Sequence, residues 1–349
     1  MKAAVIYATY GHWTQSLLNA GIPLAYHYQP KLDIDPNDER IGWVGDPLAK
    51  QILFMNFPNV EFRPPSANDE AYDLIVGSPP CVGFSRANPK ACPDHPLNKH
   101  TFDFFKWVAL NGPKYFLMEM VPGILKSEPH GFPDLHSTLP PEHKTGIFNQ
   151  CLKLIGDDYR WDYEVMNASD YGAAQTRERL YVWGNRRDQE PMESPLASLP
   201  KRPSTPIQIV LSKEILDLAE QCPADGKSRL SLIGKSGKPI AGAWGSLRPG
   251  KRENRTLKMD GLMFTITGTS VRDCLIPIRT SLTNAKQNRL LTVLELKLLM
   301  GFPFSYSLPG KLHAGVKSKI IASGVDIRFA SYLLQHIREE LEYQGVWEK

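Results

Sequence analysis

The sequence predicts an α/β protein in which helices cover a mostly parallel sheet. Short apolar runs of strand length recur at residues 3–8, 72–76 and 115–120. Stretches with helical spacing of apolar side chains, such as 13–20 and 101–110, separate them. Strands alternating with helices are what parallel sheets require, because each return to the sheet needs a crossover. With 349 residues, 42% of them hydrophobic, the chain can bury one large core and a smaller second one.

The first strand, 3–8, runs into Thr9-Tyr10-Gly11-His12 and a helix at 13–20 that Gly21 stops. A second strand is expected at 22–28, a charged loop at 31–40 and a short apolar strand at 41–44. Asp46-Pro47 starts a helix, with Asp as N-cap, Pro in the first turn and Leu48, Ile52 and Met55 on one face. Residues 57–68 read as irregular, and 72–76 as a buried strand. The helix at 101–110 turns Phe104, Trp107 and Val108 inward, and the strand at 115–120 carries Glu119 at its end. A Pro- and His-rich loop at 126–142 holds His130 and His136, and His143 follows it directly. A helix at 145–154 and strands at 161–166 and 179–183 follow. Beyond a strand at 263–267, helices are expected at 293–299 and 328–341.

The strand at 72–76 opens into Gly77-Ser78-Pro79-Pro80-Cys81-Val82-Gly83-Phe84-Ser85. Loops at the carboxyl ends of strands in open α/β sheets are where ligands bind. Two prolines stiffen the backbone before Cys81, and Gly83 allows a sharp turn after it. A thiol displayed in that way suits a nucleophile.

Five widely scattered cysteines (Cys81, Cys92, Cys151, Cys222, Cys274) argue against a disulfide framework and for a reducing, cytoplasmic setting. No apolar run is long enough to span a bilayer, and no signal peptide is expected. Cys92, Asp94, His95 and His100 lie close in sequence, yet no second Cys/His pair at zinc spacing follows, so no metal is expected. Cys151 and Cys274 read as core. The net charge is only +4, but residues 226–258 hold nine Lys or Arg against Glu253 alone, with Trp244 among them. Such a segment suits phosphate contacts to nucleic acid, and a solvated charged face is the alternative.

Several of these segments together are similar to DNA (cytosine-5) methyltransferases. Pro79-Pro80-Cys81 with Gly83-Phe84-Ser85 resembles the catalytic loop of that family, and Glu119-Met120-Val121 resembles its Glu-Asn-Val. Gln175-Thr176-Arg177-Glu178-Arg179 resembles its Gln-x-Arg-x-Arg. Phe264-Thr265-Ile266-Thr267 and Arg289-Leu290-Leu291-Thr292, with Glu295 and Gly301-Phe302-Pro303, resemble later segments in the same order. The resemblance implies a Rossmann-like methyltransferase core with a mixed, mostly parallel sheet and a smaller target-recognition domain. The expected division is a catalytic core at 1–199, a basic target-recognition region at 200–262 and a return to the core at 263–349. It also implies transfer of a one-carbon unit to C5 of cytosine in double-stranded DNA. Cys81 would add to C6 of a flipped-out base, and Glu119 would hold N3 and the exocyclic amine. Arg179 would contact O2, and Arg177 would support the pocket or the backbone. Pro80, Phe84, Ser85, Arg86 and Gln175 would line the substrate site. RNA is a possible substrate, and neither a membrane nor an obligate protein partner is implied.

The cofactor side departs from the family. Its Phe-x-Gly-x-Gly-Gly, which binds S-adenosylmethionine, aligns with Tyr7-Ala8-Thr9-Tyr10-Gly11-His12, where one glycine remains. The acid expected for the ribose aligns with Val44, with Asp33 or Asp35 as substitutes. Gly-Asn-x-Val-Pro appears as Ala322-Ser323-Gly324-Val325-Asp326. Tyr7, Ala8, Thr9, Tyr10, Gly11, His12, Trp13 and Ser323 are therefore the cofactor-site candidates. S-adenosylmethionine is the family's donor. Methylenetetrahydrofolate, its pterin stacked on Tyr7, Tyr10 and Trp13, is the alternative and would lead to cytosine hydroxymethylation. A catalytically inactive DNA-binding module is the third reading.

Overall fold

The computed structural model describes residues 2–32, 45–66, 72–85, 88, 90–92, 95–126, 146–212, 255–268, 270, 274–277 and 288–347. Outside them fall the expected strand at 41–44, Asp33, Asp35, Val44, Arg86, Asp94, His130, His136, His143, Cys222, Trp244 and most of the basic stretch. The Cys274 side chain is outside them too. Two compact units are present: residues 1–167, 178–200 and 329–349 form the first, and 168–177 with 201–328 the second.

The first unit contains β1 (Ala3–Ile6), α1 (His12–Asn19), β2 (Leu24–Tyr28), α2 (Pro47–Asn56), β3 (Glu61–Phe62) and β4 (Leu74–Gly77). It continues through α3 (Lys99–Asn111), β5 (Tyr115–Met120), α4 (Ile147–Lys153), β6 (Tyr159–Asn167) and β7 (Glu178–Arg186). Its seven strands lie in the order β3-β2-β1-β4-β5-β7-β6. Strands β3 to β5 run parallel, and β7 pairs antiparallel with both β5 and β6. Every residue of β1, β4 and β5 is buried. Apolar runs without alternation are what strands covered on both faces look like.

The helices follow their sequence signals. Asp46 caps α2 by accepting from the Ala49 amide at 2.6 Å, as Asp before Pro predicts. The inward face of α2 is Ala49, Ile52 and Leu53, whereas Met55 is exposed. The expected Leu48–Ile52–Met55 face is thus rotated by about one residue, because i, i+3 and i+4 make one helical stripe. Phe104, Trp107 and Val108 are buried on α3, and Cys151 is buried on α4.

The second unit holds α5 (Ile207–Val210), a sheet of β8 (Arg255–Thr256), β9 (Cys274–Pro277) and β10 (Asn288–Leu290), then α6 (Val293–Leu299) and α7 (Ala314–Ala322). It also takes the start of α8 (Ile327–Tyr343). The strand expected at 263–267 is reduced to one bridge, Met263 to Gln175. The Ile266 amide donates instead to the Gln175 side chain at 3.0 Å. Thr292 and Glu295, which open α6, form a reciprocal capping box, with bonds of 3.1 Å to Thr292 Oγ1 and 2.7 Å to Glu295 Oε2.

Two buried imidazoles make this fold sensitive to acid. His27 on β2 joins Thr14 Oγ1 at 3.2 Å, and His100 on α3 joins the Tyr7 hydroxyl at 2.9 Å. Burial pushes each pKa down to about 4, with the Lys99 charge adding to the shift at His100. Between pH 6.5 and 4 the unfolded chain therefore binds more protons than the folded one, and stability falls as the pH drops through that window. The loss is on the order of 3 kcal/mol for each imidazole. Urea midpoints measured across this range are expected to fall less steeply in His27→Gln than in the parent. Parallel profiles would contradict the assignment.

Candidate active site

The carboxyl ends of β1, β2, β4 and β5 share one edge of the parallel sheet, and the chemically distinctive residues gather there. β4 pairs with β5 through Gly77 and Met118. Glu119 is thus one residue beyond that pair, and Cys81 follows Gly77 by four. Gly77 is glycine because a Cβ would collide with the Ile6 carbonyl of neighbouring β1. Ser78 is buried and accepts a hydrogen bond from Trp13 Nε1 at 2.8 Å, tying the loop to α1. Pro79 is buried, while Pro80, Cys81 and Ser85 are half-buried and Phe84 is 5% exposed.

The Phe84 amide donates to the Cys81 carbonyl at 3.0 Å, closing a turn around the cysteine. Gly83 does not adopt a positive φ, so the expected reason for a glycine there is corrected. It is required by close approach: a Cβ would collide with Asn98 Oδ1 and stand 2.7 Å from His95 Cβ. Gly123 serves the loop in a similar way, since a Cβ there would meet the Phe84 carbonyl.

Glu119 is 6% exposed. Its Oε1 pairs with Arg179 Nε at 2.9 Å, and Arg179 Nη1 also donates to the Glu178 carbonyl at 2.7 Å. The antiparallel register of β5 and β7 (Met120 to Leu180, Glu119 to Tyr181) carries Arg179 to this end of the sheet. No hydrogen bond to Glu119 Oε2 is present among the described residues, so that oxygen can accept from a ligand.

Gln175 and Arg177 belong to the second unit and are used within it. Gln175 is fully buried, donates to Asp326 Oδ2 at 2.7 Å and accepts from the Ile266 amide. Arg177 is 4% exposed and donates to the carbonyls of Ile266, Ala322 and Gly324. The Arg177 guanidinium is thus engaged on backbone carbonyls within this unit. Ser323, also in this unit, ends α7 with its hydroxyl bonded to the Ile320 carbonyl at 2.8 Å.

The loop after β1, the candidate donor site, has a left-handed backbone at two non-glycine residues as well as at Gly11. Tyr7 has φ 59°, Thr9 φ 51° and Gly11 φ 99°, all left-handed, which costs a non-glycine residue about 1–3 kcal/mol. The Thr9 amide donates to Gln29 Oε1 at 2.7 Å, its hydroxyl to the Ala8 carbonyl at 2.7 Å, and His12 Nδ1 lies 3.0 Å from that hydroxyl. These bonds hold the conformation. Gln29, just past β2, is the residue that sequence reading missed. Nothing local marks it, because its partner is 20 positions away.

Tyr7, Ala8, His12 and Trp13 are fully buried, so Tyr7 and Trp13 offer no face to a pterin, and the stacking expected for a folate is corrected. Tyr10 is half-buried, and burial, followed by the Asp46 charge, pushes its hydroxyl up to about 12. The loop backbone fits S-adenosylmethionine in one respect: the φ values that allow close approach are retained at Thr9 and Gly11, and the side chain of Thr9 is folded back on its own loop. His95 and His100 each have protein partners, the Leu97 amide and the Tyr7 hydroxyl. Among the described residues no three His, Cys, Asp or Glu gather in a metal-binding arrangement.

Residues 46–339 match the C-5 cytosine-specific DNA methylase family. The type II methyltransferase M.MthTI of Methanothermobacter thermautotrophicus is 26% identical over 82% of this chain and 84% of its own length. The type II methyltransferase M.AquIA of Picosynechococcus is 33% identical over 43% of this chain, and the match spans 58% of that relative. Among solved structures, the Dnmt2 methyltransferase of S. pombe superposes with a TM-score of 0.62 at 16% identity, covering 99% of each chain. The Entamoeba histolytica methyltransferase EhMeth gives 0.62 at 14% identity, over 100% of this chain and 99% of its own. At such identities the likeness establishes the fold. No described helix is long and apolar enough to cross a membrane.

Proposed function

Because the chain belongs to the C-5 cytosine-specific DNA methylase family, we propose that it methylates C5 of cytosine in DNA through a covalent bond from Cys81 to C6. The observation that supports this reading is the pairing of β4 with β5, in which the start of the Cys81 loop and Glu119, with its Arg179 partner, come from the same end of neighbouring strands.

C5 of cytosine is a weak nucleophile until a thiolate adds to C6 and turns the ring into an enamine. Cys81, half-buried in a turn closed by its own carbonyl, supplies that thiolate. Glu119 Oε2 accepts from the exocyclic amine, while Arg179 pairs with the other oxygen and fixes the carboxylate's orientation. When the proton leaves C5, the Cys81 bond to C6 breaks and the thiolate is regenerated. A base within a duplex cannot reach these groups, so the nucleotide is flipped out. The backbone of Thr9, Tyr10 and Gly11 would hold S-adenosylmethionine, which supplies an electrophilic methyl group when bound.

Incubation of the purified chain with cytosine-containing DNA and S-adenosylmethionine, followed by mass analysis of the nucleosides, tests the proposal. The expected product is 5-methylcytosine. Its absence, with 5-hydroxymethylcytosine appearing only when methylenetetrahydrofolate is supplied, would overturn the donor assignment.

A further inference from the structure

We propose that the junction leading into α3, through Asn98 and His100, is a positioning element that sets the nucleophile loop with one side chain and the donor-side loop with the other. The inference deepens the proposed function, since it rests on Cys81 as nucleophile and on Thr9 to Gly11 as the donor site.

Asn98 is 1% exposed. Its Nδ2 donates to the Cys92 carbonyl at 3.1 Å and its amide to the His95 carbonyl at 2.8 Å, which pins the chain that returns from the cysteine loop. The opposite face of the same side chain presses on Gly83, where no Cβ fits. Gly83 lies inside the turn from Cys81 to Phe84, so the seat of the thiol is shaped by Asn98. Asn88 adds a second tie, donating from Nδ2 to the Val82 carbonyl at 2.9 Å.

Two residues later, His100 is fully buried and joins the Tyr7 hydroxyl at 2.9 Å. The rings of Tyr7 and His100 meet edge to face at 5.5 Å, and Trp107, two turns further along α3, packs on Tyr7 at 5.5 Å. Tyr7 is the residue with φ 59°, a conformation that an aromatic residue holds only when its surroundings over-determine it. Helix α3 supplies that constraint at both the edge and the face of the ring. The strained start of the donor-side loop and the turn that carries the thiol are therefore anchored two residues apart on one rigid element. Core packing alone requires neither a buried amide against a glycine nor a hydroxyl bonded to an imidazole.

The test uses the full chain with Tyr7→Phe, His100→Gln and Asn98→Ala, and two readouts that need no turnover. Tyr7→Phe removes only the hydroxyl and is expected to weaken S-adenosylmethionine binding in calorimetry by about 5–10-fold, the worth of one hydrogen bond. The rate of Cys81 alkylation by iodoacetamide should stay at the parental value. His100→Gln, whose amide can still reach the hydroxyl, should retain more affinity than Tyr7→Phe. Asn98→Ala is expected to change the Cys81 alkylation rate by about fivefold or more and to lower kcat rather than raise KM. Donor affinity should remain within about twofold. If Asn98→Ala does not fold, Gly83→Ala probes the same contact from the loop side.

Parental values of both readouts in folded variants would overturn the proposal. So would a uniform loss of both that tracks the thermal midpoint. A parent that binds no S-adenosylmethionine, or forms no adduct with 5-fluorocytosine DNA, would count against the functional reading instead, and the alkylation arm would still decide the role of Asn98.

Discussion

Cys81→Ala is expected to abolish both turnover and the covalent complex with DNA carrying 5-fluorocytosine, while leaving the fold intact. Fluorine at C5 cannot leave as a proton does, so a chain that has added its thiolate to C6 and then received the methyl group on C5 cannot eliminate, stays bonded to its substrate and migrates with it in a denaturing gel. The cysteine is half-buried and contributes little apolar area, so its truncation should move the unfolding midpoint by less than about 1 kcal/mol. The loss in kcat, by contrast, should be on the order of 10⁴-fold or more, because no other group can take the place of a missing nucleophile. Cys92 is exposed and Cys151 is fully buried on α4, where burial pushes its thiol well above the ordinary range. Neither can substitute. An adduct that persists in Cys81→Ala would remove the chemical basis of the proposed function.

The largest expected effect on stability comes from Arg177→Leu. The guanidinium is 4% exposed and serves the carbonyls of Ile266, Ala322 and Gly324, at 3.2 Å and 3.3 Å for the first two. Leucine fills part of the volume but leaves buried acceptors without donors, at a cost of about 1–3 kcal/mol for each group. Allowing for relaxation, the second unit should lose roughly 3–5 kcal/mol, read as a lower urea midpoint and earlier proteolysis within residues 168–177 and 201–328. Arg177→Lys should recover little, because one ammonium cannot reproduce a planar fork aimed at several carbonyls. The sign of the result separates the roles. If Arg177 acted on the base, Arg177→Leu would lower kcat with an unchanged midpoint.

The contrast between Arg177 and Arg179 also marks how far the sequence can be read. The two residues are two positions apart in one motif, yet Arg177 is used on backbone within the second unit and Arg179 on Glu119 within the first. Their spacing is compatible with both residues serving one ligand. Only the partners that the chain folds around them tell the two apart. Gln175 follows the same rule: its amide joins Asp326, 151 residues away.

What the sequence determined by itself is whatever depends on neighbours along the chain. The α/β alternation, the buried strands leading to Cys81 and Glu119 and the Asp46 cap rest on periodicity and on bonds across three residues or fewer. Tertiary structure decided which aromatic side chains are walls and which are surfaces. Tyr7 and Trp13 flank the loop at 9–12 and look available to a ligand there, but α3 and Ser78 bury them. It also decided why Gly83 is glycine, and it supplied Gln29 as the partner of the Thr9 amide. Those outcomes turn on contacts between segments far apart in the chain, for which no local pattern exists.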